Sequence, residues 1–153
     1  MKALELKVPP LVLVVLTAVF MWAVASPAPT STALHGAALY LSVGLLLAGV
    51  ICAALGVIAF RQADTTVDPR VPEQSAHLVT SGIYQVSRNP MYLGFLLMLC
   101  AWAVLLSSLL SAAFLVVFVL YMNRFQIIPE ERFMQKKFGA VYAQYKTQVR
   151  RWL

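Results

Sequence analysis

The chain has 153 residues, of which 61% are hydrophobic, and its mean hydropathy is +0.79. Soluble domains are close to half apolar, so this composition excludes an ordinary water-soluble protein. Charged residues make up only 12% of the chain, although the net charge is +6. We predict an all-α, polytopic integral membrane protein, with residues 1–153 forming a single membrane domain.

Two long stretches without charged residues, 8–60 and 91–123, contain the predicted membrane spans. A segment rich in proline, serine and threonine, residues 26–32, divides the first stretch into spans at about 8–25 and 36–60. The second stretch would be roughly 50 Å long as one helix, too long for a hydrocarbon core of about 30 Å. Serines at 107, 108 and 111 indicate a hairpin between spans at about 91–106 and 109–123.

The distribution of cations also favours four spans. With a cytoplasmic N-terminus, four spans place all twelve Lys and Arg residues on one side of the membrane. Three spans would instead export the seven cations of the tail, against the positive-inside rule. We therefore predict cytoplasmic N- and C-termini, a cytoplasmic loop at 61–90 and a bacterial inner-membrane location. An alternative interpretation of residues 1–25 is a cleavable signal peptide.

Residues with useful side-chain chemistry are scarce within the predicted spans. The spans contain no Asp, Glu, Lys or Arg, which argues against a proton-coupled transporter. Cys52 and Cys100 lie inside spans and are typical of buried thiols. His35 and His77 fall on opposite sides of the membrane and cannot share a metal, so we predict no metal site. Any active site should form where the loop 61–90 meets the tail.

The tail after the fourth span has the pattern of a helix, predicted at 129–153. Pro129 suits a first helical turn, and Glu130 and Glu131 complement the positive end of the helix dipole. Gly139 is expected to bend the helix. Apolar side chains recur at helical spacing: Met134, Phe138, Val141, Tyr145, Val149 and Trp152. The opposite face is basic, so we predict a cytoplasmic amphipathic helix on the membrane surface.

Several motifs resemble the isoprenylcysteine carboxyl methyltransferase family, with its phospholipid methyltransferase and related bacterial membrane enzymes. They are LVTSGIY at 78–84, RNPMYLG at 88–94, IPEE at 128–131, FG with two spaced tyrosines at 138–145, and VRRW at 149–152. The resemblance covers about residues 60–153, whereas residues 1–59 match only as hydrophobic spans. It implies methyl transfer from S-adenosylmethionine to a lipophilic acceptor that carries a carboxylate, thiol or amine.

The resemblance also implies a cofactor pocket formed by the segment 88–94 and the C-terminal helix. Arg88 would hold the carboxylate of the cofactor, and Glu130 or Glu131 its ammonium group. Arg88 and Glu131 are the expected catalytic pair, with Glu131 a candidate base for a thiol or amine acceptor. The other implied cofactor-binding residues are Tyr84, Asn89, Pro90, Tyr92, Gly94, Tyr142 and Tyr145.

Asn89 stands where the family pattern has histidine. Asparagine can replace one imidazole hydrogen bond but does not titrate near neutral pH, so an acid or base role is excluded at this position. We expect Asn89 to orient the cofactor or the loop. This departure from the family pattern weakens the prediction of a prenylcysteine substrate more than it weakens the prediction of methyl transfer.

Two alternatives remain open from the sequence. A sterol-reductase-like membrane enzyme would share the C-terminal half but bind a nicotinamide cofactor. A non-catalytic transporter subunit or assembly protein would bind no S-adenosylmethionine. The expected partners are membrane lipids and a lipophilic substrate, and no nucleic acid. The oligomeric state is not predicted, although Gly49 and Ala53 are a weak helix-contact signal.

Overall fold

The computed structural model describes residues 5–26, 32–62 and 78–153. The predicted turn at 26–32 and the predicted loop at 61–90 lie partly outside the described residues. Arg70 and His77 lie entirely outside them. Within the described ranges all regular structure is helical, which confirms the predicted all-α class.

Five α-helices form the fold, with a 3₁₀ turn before the third and a π-helical segment before the fifth. The helices are α1 (Pro10–Ala23), α2 (Thr32–Gln62), α3 (Pro90–Leu106), α4 (Leu109–Tyr121) and α5 (Ile128–Gln148); the 3₁₀ turn is Gly82–Gln85 and the π-helical segment is Met122–Ile127. Proline occupies the first turn of α1, α3 and α5. At the starts of α1 and α3 its missing N–H leaves no intrahelical bond unmade, whereas α5 continues directly from the π-helical segment.

Two helical stretches in the described part of the chain are long and apolar enough to cross a membrane. They are Gly36–Gln62 and the continuous stretch Leu109–Gln148, while α1 and α3 are apolar but shorter. The large apolar side chains of α2 are mostly exposed, including Tyr40 and Leu47. Exposed apolar surface on this scale requires a nonpolar environment, so the protein is a membrane protein.

A tight hairpin joins α3 to α4 at the predicted serines. Ser107 takes a left-handed backbone conformation, with φ 48°, and ends α3. Ser108 then caps α4, because its Oγ accepts a hydrogen bond of 3.3 Å from the backbone N–H of Ser111. The break therefore falls between the two spans predicted at 91–106 and 109–123.

Hydrogen bonds to backbone carbonyls attach α1 to this hairpin. Ser111 Oγ donates to the carbonyl of Met21 at 2.7 Å, and Trp102 Nε1 donates to that of Ala18 at 3.1 Å. Phe118 packs against Met21 in the buried cluster between these helices. Helices in lipid gain little from the hydrophobic effect between them, so such bonds and close packing hold them together.

The contact between α2 and α3 depends on two glycines. A Cβ atom at Gly49 would lie 2.7 Å from the carbonyl oxygen of Gly94, and one at Gly94 would lie 2.5 Å from that of Gly49. Ala53 is also within 3 Å of the Cβ position at Gly94. The small residues of the second span, Gly49 and Ala53, therefore contact α3 within the same chain. The absence of a side chain at Gly94 allows α2 to pack closely against α3.

The tail departs from the regular helix predicted at 129–153. Gly139 breaks α5 with φ 53° and ψ −123°, a conformation that favours glycine, as the expected bend requires. The helical phase is lost at this break, and Val141, predicted on the apolar face, is 64% exposed. The helix ends at Gln148, and Val149 is extended. Residues 149–152 then return along the end of the helices.

Replacing Gly94 by alanine should destabilise the protein by about 1–3 kcal/mol, the usual cost of overpacking, because the added methyl meets backbone atoms that cannot move aside. Thermal unfolding in detergent would measure the effect. Gly44→Ala is the matched control, since a Cβ at Gly44 has nothing within 4 Å. Equal melting temperatures for the two variants would contradict the assigned contact.

Candidate functional site

A buried ion pair joins the start of α3 to the start of α5. Nη2 of Arg88 lies 3.0 Å from Oε1 of Glu131, and the two side chains are 10% and 11% exposed. Arg88 precedes α3 by two residues, and Glu131 lies in the first turn of α5. The two residues predicted as the catalytic pair are therefore in direct contact. Loss of Glu131 would leave Arg88 as a buried charge without this partner.

Glu131 also binds a second guanidinium group, that of Arg151. Nε of Arg151 donates to Oε1 at 3.0 Å and Nη2 donates to Oε2 at 2.7 Å, so the contact is bidentate. Both oxygens of Glu131 are thus engaged, and two guanidinium groups share one carboxylate. The site attracts anions.

Arg88 has donors that its neighbours do not use. Its Nε and Nη1 atoms are buried and have no hydrogen-bond partner. A buried N–H group without a partner costs about 1–3 kcal/mol, more when it is charged, so a ligand that accepts from these atoms would recover that free energy. The geometry therefore suits an anionic ligand such as a carboxylate.

Glu130 has a different environment from Glu131, although the two are adjacent. Its Oε1 accepts hydrogen bonds from the hydroxyl of Tyr92 at 2.6 Å and from Nε2 of Gln126 at 3.1 Å, and both donors are uncharged. Burial raises the pKa of Glu130 from 4.5 to about 8, even though these two hydrogen bonds lower it. A cation placed beside Glu130 would favour its ionised form.

Three tyrosines pack beside these charges. The hydroxyl of Tyr145 donates to the backbone carbonyl of Tyr84 at 2.6 Å, which links α5 to the 3₁₀ turn. Tyr142 lies against Tyr145, with ring centroids 6.2 Å apart. Burial, together with the nearby charge of Glu131, raises the pKa of Tyr142 to about 12. These rings form an apolar wall next to the ion pair.

The segment 149–152 holds the loop that carries Arg88. The backbone N–H of Arg88 donates to the carbonyl of Arg150 at 3.0 Å, and Nδ2 of Asn89 donates to the carbonyl of Arg151 at 2.9 Å. Trp152 Nε1 donates to Oδ1 of Asn123 at 3.1 Å. The amide of Asn89 thus attaches its loop to the end of the chain.

Pro90 and Gly94, the other two predicted site residues, belong to α3 and contact α2. The carbonyl of Pro90 accepts from Sγ of Cys52 at 3.2 Å, and Gly94 contacts α2. Their part in cofactor binding stays a prediction. Among the described residues, no group of three or more His, Cys, Asp or Glu side chains is placed to hold a metal ion.

Three residues at the site, Asn123, Gln126 and Arg151, were not singled out from the sequence. Arg151 belongs to the VRRW motif at 149–152, which by itself assigns no role to it. Gln126 and Asn123 lie in the π-helical segment, where the 3.6-residue period does not apply. The sequence signal that could have identified Asn123 and Gln126 is the presence of polar side chains at the end of an apolar span.

A cleft of about 480 Å³ adjoins the ion pair on the side of Arg151. It is lined by Ile128, Glu131, Arg132, Gln135, Lys146 and Arg151. Three of these six side chains are cationic, which again favours an anionic or zwitterionic ligand.

The fold and site together define a helical membrane protein with a charged site at the ends of its apolar helices. The model of the phospholipid methyltransferase family matches residues 37–141, which is more than half of the chain. The protein belongs to that family. The match confirms the family resemblance and indicates a methyltransferase.

Individual relatives agree with the family assignment. A protein-S-isoprenylcysteine O-methyltransferase of Arabidopsis thaliana is 30% identical over 105 residues, 69% of this chain and 53% of the relative. A probable enzyme of the same name from Oryza sativa is 31% identical over 113 residues, 72% and 58% of the two chains. The chain thus spans just over half the length of these plant relatives.

A bacterial relative matches over a shorter region. An uncharacterized protein of Haemophilus influenzae is 46% identical over 63 residues, which are 41% of this chain and 100% of that protein. No solved structure matches the chain significantly.

Glu130 should make stability depend on pH. Its pKa is higher in the folded protein than its ordinary value, so the folded state favours the protonated carboxyl. This contribution is complete below pH 4.5 and is lost as the pH rises from 4.5 through about 8. Glu130→Gln should therefore gain melting temperature relative to wild type between pH 6 and pH 9.

Thermal unfolding at fixed ionic strength would measure this difference, with Lys136→Gln, on an exposed part of α5, as the control. A difference between Glu130→Gln and wild type that stays constant with pH would show that Glu130 is already ionised at neutral pH.

Proposed function

We propose that this protein transfers a methyl group from S-adenosylmethionine to a lipophilic acceptor at the cytoplasmic membrane interface. The observation that carries the proposal is that the Nε and Nη1 donors of Arg88 are buried without a hydrogen-bond partner. Arg88 is paired with Glu131, and the adjacent residue in the chain, Glu130, accepts hydrogen bonds from two neutral donors. The guanidinium group of Arg88 suits an anion, and the carboxyl group of Glu130 suits a cation. An amino-acid moiety presents both a carboxylate and an ammonium group.

The residues at the site fit this cofactor. Arg88 would bind the carboxylate through one of its two unpaired donors, Nε or Nη1, which lie on different edges of the guanidinium group, because a charge-assisted bond satisfies a buried donor. Glu130 would bind the ammonium group, since its present donors are neutral. Tyr84, Tyr142 and Tyr145 would contribute apolar and aromatic surface for the adenine.

We assign Glu131 to holding Arg88 instead of binding the ammonium group or taking a proton. Its oxygens accept bonds from two guanidinium groups, so a further cation would have to displace one of them. A carboxylate acceptor needs no base, so the assignment leaves methyl transfer possible without proton chemistry.

The bound cofactor would supply the methyl group on a positively charged sulfur. The sulfonium charge disappears during transfer, so alignment and exclusion of water can contribute more than proton transfer. The protein's part is then to fix the amino-acid portion with Arg88 and Glu130. The position of the site at the ends of apolar helices would let an acceptor enter from the bilayer.

We also propose that all four apolar segments cross the membrane, with both termini in the cytoplasm of a bacterial cell. The hairpin at Ser107 and Ser108 supports this topology, because it returns the chain to the side of the cations of the tail. The site would then face the cytoplasm, where soluble cofactors are available.

Cysteine labelling in intact cells should show this topology. Leu109→Cys, at a position that is 90% exposed, should react with a membrane-impermeant maleimide added outside. Gln144→Cys, on the exposed side of α5, should react only after permeabilisation. The parent protein measures the background from Cys52 and Cys100. Labelling of Gln144→Cys in intact cells would overturn the proposed orientation.

Calorimetric titration of the purified protein with S-adenosylhomocysteine tests the cofactor. Wild type should bind, and Glu130→Gln and Arg88→Lys should each weaken binding about ten-fold or more, the scale of a lost charge-assisted hydrogen bond. Lysine cannot reproduce the planar donor geometry of Arg88. Lys136→Gln is the control and should bind like wild type.

An absence of binding in wild type, with the protein folded in detergent, would favour the non-catalytic interpretation. Normal binding in both Glu130→Gln and Arg88→Lys would leave the cofactor in place but disprove the site.

A further inference from the structure

We infer that Arg151 is a positioning residue that keeps Arg88 available for the cofactor by occupying Glu131. The inference rests on the proposed function, since it concerns the binding of the cofactor carboxylate. It assigns a role to a residue outside the predicted site, at the end of the chain.

The two partners of Glu131 share its hydrogen-bond capacity unequally. Arg151 binds both of its oxygens, at 3.0 Å and 2.7 Å, while Arg88 makes a single contact, through Nη2 at 3.0 Å. A guanidinium group and a carboxylate prefer a bidentate arrangement. Arg88 makes only one contact because Arg151 already occupies the carboxylate with two.

Without Arg151, Arg88 would make different contacts with Glu131. With its oxygens released, Glu131 could accept a second bond from Arg88, and the Nε donor of Arg88 would be drawn to it. The N–H group at Nε would then no longer be free for a ligand. Arg151 thus preserves the anion-binding capacity of Arg88 through its contact with Glu131.

The backbone around Arg151 supports the same role. Its carbonyl accepts from Nδ2 of Asn89 at 2.9 Å, and the preceding carbonyl, of Arg150, accepts from the backbone N–H of Arg88 at 3.0 Å. The chain end therefore fixes the loop of Arg88 through its backbone and controls Glu131 through its side chain. One short segment sets both the position of Arg88 and the number of its free donors.

Arg151→Gln should weaken binding of S-adenosylhomocysteine about ten-fold, and Arg151→Lys should weaken it less, because an ammonium group still neutralises Glu131 but cannot bind both oxygens. Arg150→Gln is the matched control, since it is adjacent, has the same charge and is exposed. It should leave affinity unchanged. All variants should first be compared for melting temperature without ligand.

Two further measurements separate positioning from general structural support. Binding of 5′-methylthioadenosine, which has no carboxylate or ammonium group, should be unaffected by Arg151→Gln. In the Glu131→Gln background, Arg151→Gln should change affinity for S-adenosylhomocysteine by less than about two-fold, because the competitor for Arg88 is already weakened.

The inference is overturned if Arg151→Gln binds S-adenosylhomocysteine like wild type, if it weakens both ligands equally, or if its effect persists undiminished in the Glu131→Gln background. A wild-type protein that binds neither ligand would instead overturn the proposed function, and this inference with it.

Discussion

The carboxylate of Glu131, shared by Arg88 and Arg151, is the interaction on which the site depends. It joins the start of α3, the start of α5 and the end of the chain. Arg88 and Glu131 are each about nine-tenths buried. Charges at such depth are stable only when paired and hydrogen-bonded, so the three segments are held in one arrangement. The same arrangement leaves Arg88 with hydrogen-bond donors that no neighbour uses. A side chain that is fixed in position and still has free donors is suited to binding a ligand.

The residues that follow the apolar helix α4 supply the second half of the site. The chain passes from α4 into the π-helical segment Met122–Ile127 and then into α5. π-Helical turns are rare and often occur at functional sites, because the wider turn redirects side chains. Here Gln126 reaches Glu130 and Asn123 reaches Trp152. Two adjacent carboxylates consequently acquire different partners, guanidinium groups for Glu131 and neutral donors for Glu130.

Much of the fold could be predicted from the sequence because apolar helices in a membrane follow from length and composition. The starts of α3 and α5 coincide closely with Pro90 and Pro129, and the serine hairpin lies where the span length required a break. Gly139 interrupts the tail helix as expected. The side chains beyond that break, such as Val141, could not be assigned to a face, since a helical period has no meaning across a non-helical residue.

The sequence by itself determined the all-α class of the protein, its family and the starts of α3 and α5, and it predicted the segments of the candidate site. Each of these depends on local composition, spacing or a contiguous motif. Only the tertiary structure decided how the charges are paired, because pairing depends on which segments meet in space. Arg88 and Glu131 are 43 positions apart, and Arg151 lies at the end of the chain. Nothing local distinguishes Arg151 from Arg150, yet one is directed at Glu131 and the other is exposed. The backbone direction after Gln148, fixed by bonds to the loop of Arg88, makes that difference.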